Sequence, residues 1–164
     1  STGGFTDVLL ANGAASVTAV DVGYGQLVWR LRTDPRVTVH DRTNFRTADL
    51  AALDAPFDLV VIDVSFISLT LVLPCVAPFL GRPARVIALV KPQFEVGKGQ
   101  VGRGGIVRDD GQRRAVTEKV LACAESLGFR SLGVLDSPVT GQKGNREILL
   151  GLNWPVTSAT QSSA

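Results

Sequence analysis

The sequence predicts a doubly wound α/β domain: an open, mostly parallel sheet flanked by helices and finished by an antiparallel hairpin. Three observations predict it. Short runs rich in Val and Ile alternate with helix-length segments between Ser16 and Leu127. Those runs are apolar almost throughout, as strands covered on both faces are. The last two runs have no helix between them, so they are expected to pair in opposite directions.

The elements follow in order. "STGGFTD", Ser1–Asp7, reads as the second half of a glycine turn between a strand and a helix, so the first strand of the sheet is expected before Ser1. A helix over Thr6–Asn12 stops at Gly13, a suitable C′ glycine. Strands are expected at Ser16–Asp21 and Val37–Asp41, with a helix at Gln26–Thr33 that ends before Pro35. Strands at Phe57–Val64 and Arg85–Lys91 enclose a helix at Ser68–Leu80, kinked by Pro74. The best helix is Asp110–Leu127: Val116, Val120, Cys123, Ala124 and Leu127 share a face, acids open it and Gly128 closes it. Ser131–Leu135 and Glu147–Asn153 form the hairpin around the turn-rich PVTGQKGN. Beyond Pro155 only Val156 is large and apolar, so residues 155–164 are expected to be a disordered tail and residues 1–154 the domain.

Composition narrows the function. With 164 residues, 45% of them hydrophobic and 20% charged, the chain suits one globular domain. Cys75 and Cys123 lie far apart in apolar surroundings, which suits two reduced thiols and a cytoplasmic protein. His40 is the single histidine and follows a strand pattern, which argues against His-rich metal sites and a Ser-His triad. No metal is expected. Val64–Gly81 is uncharged, but Ser65, Ser68, Thr70, Pro74 and Pro78 within it fit a strand end and a buried helix better than a membrane span. Net charge is only +2, yet Lys91, Lys98, Arg103, Arg108, Arg113 and Arg114 face only Glu95, Asp109 and Asp110 in the same stretch. That asymmetry fits an anionic partner, or a solvated loop face.

Ligands of open parallel sheets bind beyond the carboxyl ends of the strands. Asp21, Asp63 and Lys91 stand at such ends, and the glycine turn belongs at a fourth. Gly3 and Gly4 would admit a ligand close to the backbone, with the amides of the following helix aimed at it. A carboxylate at Asp21 can accept both hydroxyls of a ribose; the plainer alternative is a helix cap or turn former. The glycine spacing is not that of a dinucleotide fingerprint, and "GKGQVGRGG", Gly97–Gly105, is not a P-loop. It is a glycine loop whose Lys98 and Arg103 could touch a phosphate backbone, or simply face solvent.

Six stretches in this order carry a resemblance: STGGFTD, AVDVGYGQLVWRLR, DRTNFR, VVIDVSFISL, LVKPQFEVGKGQVGRGGIVRD and GNREILL. The chain resembles the FtsJ-like ribose methyltransferases, and among them the TlyA family, which also carries a haemolysin label. The resemblance implies a Rossmann-like class I methyltransferase fold and transfer of methyl from S-adenosylmethionine to a ribose 2′-hydroxyl of ribosomal RNA. It places Ser1, Thr2, Gly3 and Gly4 along the methionine part of the cofactor, Asp21 at its ribose, Asn44 near its adenine and Asp63 beside it. The family's Lys-Asp-Lys-Glu set maps onto Asp63, Lys91 and Glu147, with the first lysine expected before Ser1. An S4-like RNA-binding domain is expected upstream too. Lys98, Arg103 and Lys143 are the candidates for RNA contact.

The chemistry explains the residue types. A 2′-hydroxyl is a poor acid, and a lysine can take its proton only if the ammonium pKa falls from about 10.4 to roughly 7–8. Burial and a neighbouring sulfonium favour that fall, while a carboxylate opposes it. Lys91 is therefore assigned as base, Asp63 to orientation, and Glu147 to fixing the lysine or the hydroxyl. Taken singly, Lys91 could equally be a solvated strand-end lysine and Glu147 a partner of Arg146. Asp63-Val64-Ser65-Phe66 lacks the Pro-Pro-aromatic pattern of base amino-group methylation, and Cys75 falls inside a helix pattern rather than at a strand end. The rival readings are a catalytically idle cofactor- or RNA-binding fragment and a membrane-acting haemolysin. Without the upstream pieces, weak cofactor binding and little methylation are expected.

Overall fold

The computed structural model describes residues 2–97, 99, 101, 102 and 104–155. The predicted residues Ser1, Lys98 and Arg103, and the tail from 156 to 164, lie outside the described residues. The chain forms two compact units, Ser1–Ala55 and Pro56–Ala164.

In the first unit, helix α1 (Gly4–Ala11) leads to strand β1 (Val17–Val20), helix α2 (Trp29–Arg32) and strand β2 (Val37–His40). The expected stop at Gly13 is present: φ is 90° there, and the Ala14 amide donates back to the Leu9 carbonyl. β1 and β2 pair in parallel, Val17 opposite Val37 and Val20 opposite His40. Leu10, Leu27 and Leu31 form the core, packed against Val17, Ala19, Val37 and Val39. α2 is shorter than the predicted Gln26–Thr33. Val28, with φ −59° and ψ 146°, is extended, so residues 26–28 approach the helix as a loop.

The second unit contains β3 (Phe57–Ile62), α3 (Leu69–Val76), β4 (Leu80–Val90), α4 (Pro92–Glu95), α5 (Asp110–Ser126), β5 (Arg130–Thr140) and β6 (Arg146–Trp154). Its sheet order is β3-β4-β6-β5. β3 and β4 are parallel, and β6 runs antiparallel to both β4 and β5. The strands therefore form two sheets, with no described strand pairing with both β1 and β3. On the covered face Val86, Ala88, Val90, Leu150 and Leu152 are fully buried, as are Leu73 of α3 and Val120 and Ala124 of α5. Each such large aliphatic side chain contributes about 1.5–3 kcal/mol.

Several boundaries differ from expectation. α3 ends at Val76 rather than Leu80, because Pro78 follows and the chain turns into β4. Pro74 lies within α3; having no N–H, it leaves the Thr70 carbonyl without its helical donor, and the Cys123 thiol of α5 points to that oxygen at 3.8 Å. β5 continues to Thr140, well past Leu135, and α4 is a short helix the sequence did not announce. Both cysteines are free thiols. No helix of the described residues is long and apolar enough to cross a membrane.

Candidate functional site

The first unit offers a backbone site. Gly3 precedes α1 with φ 106°, and the helix start has no side-chain cap, so its leading amides face outward as donors. The two glycines have separate duties. A Cβ on Gly3 would lie 2.5 Å from Leu27 and from Leu31, so that glycine admits the core; around Gly4 a Cβ would meet nothing within 4 Å. Gly4 is thus the open approach to the helix start. A cavity of about 250 Å³ beside it is lined by Thr2, Gly3, Gly4, Asp7, Val28, Arg30 and Leu31. Arg30 donates to both Asp7 oxygens, a bond that holds the Asp7 carboxyl below its ordinary range.

Asp21 follows β1. Its amide donates to His40, its carbonyl accepts from Thr43, and its Oδ1 accepts from the Gly23 amide at 2.7 Å. That last bond holds the loop Val22–Gly25 in a tight turn and presents Tyr24, 65% exposed, whose ring is approached by the Arg42 guanidinium at 4.6 Å. Asn44 is exposed and caps the short turn Phe45–Thr47 through the Arg46 amide. The uncapped helix start can receive an anionic group, and the Asp21 carboxylate at a strand end can accept hydrogen-bond donors.

The second unit offers a side-chain site. Asp63 follows β3 directly and Lys91 follows β4 directly. Val90 lies opposite Ile148 across the antiparallel pair, so Glu147 arrives at the same edge. Lys91 Nζ reaches Asp63 Oδ1 at 2.6 Å and donates to Ser65 Oγ at 3.2 Å. The lysine side chain is 14% exposed, while Asp63 is 39% exposed. Glu147 is buried and accepts from Gln93 Nε2. The alternative reading of Glu147 as a partner of Arg146 gains no ion pair among the described residues.

The structure adds residues that the sequence left unmarked. Ser65 is the second ligand of the lysine, and nothing in its type signals that. Phe66 is 89% exposed at φ 64°, with its ring 4.8 Å from Phe94. A bulky residue held in the left-handed region costs about 1–3 kcal/mol and tends to mark a functional position. Asn145 is 2% exposed and ties down the glycine loop: its Oδ1 accepts from the Val107 amide and its Nδ2 donates to the Gly105 carbonyl. Lys143, by contrast, is one of the candidate RNA contacts named above; exposed at φ 61°, it places Nζ 3.7 Å from where a Cβ of Gly105 would be.

The FtsJ-like methyltransferase model matches residues 1–154. The chain is 55% identical over 152 residues to the 16S/23S rRNA (cytidine-2′-O)-methyltransferase TlyA of Mycobacterium tuberculosis, covering 93% of this chain and 57% of that one. A hemolysin-named solved structure from Streptococcus thermophilus superposes with a TM-score of 0.90 at 49% identity, over 94% of this chain and 56% of that one. The N-methyltransferase NodS of Bradyrhizobium japonicum, solved with S-adenosyl-L-homocysteine, shares the fold at a TM-score of 0.63 and 17% identity, over 94% of this chain and 74% of NodS. The chain spans about half the length of the curated relatives it matches.

Proposed function

The chain belongs to the FtsJ-like methyltransferase family, and from that premise we propose that it methylates a ribose 2′-hydroxyl of ribosomal RNA, with S-adenosylmethionine as donor and Lys91 as general base. The observation that carries the proposal is the Lys91–Asp63–Ser65 cluster at one sheet edge, with Glu147 delivered there by the antiparallel β6. The first unit supplies the cofactor contacts: Thr2, Gly3 and Gly4 at the helix start, Asp21 for the ribose, Asn44 toward the adenine.

Held by these residues, S-adenosylmethionine would supply a methyl carbon made electrophilic by its sulfonium, and a sulfur able to keep the electron pair of the broken bond. Lys91 Nζ takes the proton of the attacking hydroxyl. Asp63 and Ser65 hold the amine in one place, which turns the encounter with the hydroxyl into a fixed geometry. Phe66 offers an exposed ring on which a nucleobase can stack, worth about 1–3 kcal/mol per base. Lys143, together with Lys98 and Arg103, neutralises phosphates. The partner is then the ribosomal subunit and the compartment the cytoplasm. An S4-like RNA-binding domain and the first lysine of the set belong to the same proposal.

The test is methyl transfer to ribosomal subunits by the longest natural chain containing this sequence. Lys91→Ala is expected to lose about 10²–10⁴-fold in rate, while calorimetry finds cofactor affinity nearly unchanged. A Lys91→Ala protein that methylates at the parent rate removes Lys91 as the base.

A further inference from the structure

Glu147 has an unusual seat. The side chain is 7% exposed, and among the described residues its hydrogen-bond partner is Gln93, whose Nε2 donates to Oε1 at 3.3 Å. The same carboxylate presses on the backbone of the β5–β6 turn: a Cβ on Gly141 would stand 2.1 Å from Oε1 and 2.5 Å from the carboxyl carbon. Residue 141 must therefore be glycine for Glu147 to keep this pose. The turn is itself braced, Gly141 donating to the Asn145 carbonyl and Gly144 to the Gly141 carbonyl.

Gln93 lies in α4, the short helix that starts immediately after Lys91. Its Oε1 is buried without a hydrogen-bond partner. A glutamine present only to fill space would be expected to satisfy both ends of its amide, since an unpaired buried acceptor is costly. Reversing the amide would set its oxygen against the carboxylate. The orientation is thus dictated by Glu147, at the expense of Gln93's own acceptor.

From this geometry we infer that Gln93 is a positioning residue: it holds the Glu147 carboxylate, against the Gly141 backbone, at the edge where Lys91 and Asp63 meet. The inference rests on the reading of Lys91, Asp63 and Glu147 as the methyl-transfer site. It accounts for an α4 helix tied in sequence to the proposed base, and for a glycine in the turn facing the acid.

Two measurements test it. In this chain, the NMR signals of the Gln93 side-chain amide are expected to move when Glu147→Gln removes the carboxylate that Nε2 donates to. An amide that ignores Glu147 overturns the inference whatever the activity. In the longest natural chain, Gln93→Leu should lower kcat about tenfold or more, with KM for the cofactor unchanged. Combined with Glu147→Gln, it should add no further loss. Gln93→Glu can donate to Glu147 only when protonated, so its activity relative to the parent's should fall as pH rises. Additive losses, or an unchanged kcat in Gln93→Leu, overturn the positioning role. Full activity in Lys91→Ala instead overturns the underlying reading, so the two failures are distinguishable.

Discussion

Ser1–Ala55 and Pro56–Ala164 are built on different scales. The first unit has two strands of four residues each and a core of Leu10, Leu27 and Leu31. The second has a four-stranded sheet with a covered face of fully buried Val, Ala and Leu. Their candidate sites differ in kind as well. The first presents backbone, an uncapped helix start beside an open glycine. The second presents side chains, each held by another: Lys91 by Asp63 and Ser65, Glu147 by Gln93. A ligand recognised by amides needs little more than the right turn, whereas a base that must meet one hydroxyl needs a rigid frame. The deeper core lies where the chemistry is proposed.

Core truncation tests that contrast most severely. Leu73 has no exposed surface, and Leu73→Ala is expected to cost about 2–5 kcal/mol. Leu31, 3% exposed in the smaller core, should cost less when truncated, near 2 kcal/mol, because that site can collapse around the gap. Equal losses in urea melts would erase the difference between the units.

Gly3→Ala separates packing from ligand approach. With φ at 106° and two leucine methyls 2.5 Å from the new carbon, it should destabilise the first unit by about 1–3 kcal/mol. Gly4→Ala meets open space; its stability should hold while cofactor affinity falls, as read by thermal melts and calorimetry. Asp109 caps α5 by accepting from the Gln112 amide at 2.6 Å, and Asp109→Ala should cost about 1 kcal/mol.

The smallest effect is a titration. Hydrogen bonds from the Arg36 side chain, and then its backbone amide, lower the Asp34 carboxyl from 3.8 to about 2. A lowered carboxyl stabilises the fold at neutral pH, and that contribution disappears as pH falls from about 4 toward 2. Arg36→Gln should move the Asp34 carbon resonance midpoint back toward 3.8.

Much of this could be read before any coordinates. Apolar runs located each described strand, Gly13 and Gly128 closed helices where glycine was expected, and Asp63 and Lys91 were legible at strand ends, with Glu147 added by the family resemblance. The failures were local contests. Residues 77–80 carry a helix-like apolar pattern, but Pro78 and the partner Phe57 waiting in β3 draw Leu80 into a strand. Gln93, Ser65 and Asn145 went unremarked because their types are common and their roles exist only across the fold.

What the sequence by itself determined is periodicity and punctuation: which runs are strands, where helices stop, and which charged residues stand at strand ends. These depend on neighbours a few residues away, so the order of residues contains them. Only the tertiary structure decided who holds whom. Glu147 lies far from Gln93 along the chain, as does Asn145 from Gly105, and each pair meets because β6 returns antiparallel beside β4. Hydrogen bonds act over about 3 Å, so partners separated by a whole strand and helix become visible only when the sheet has set its register.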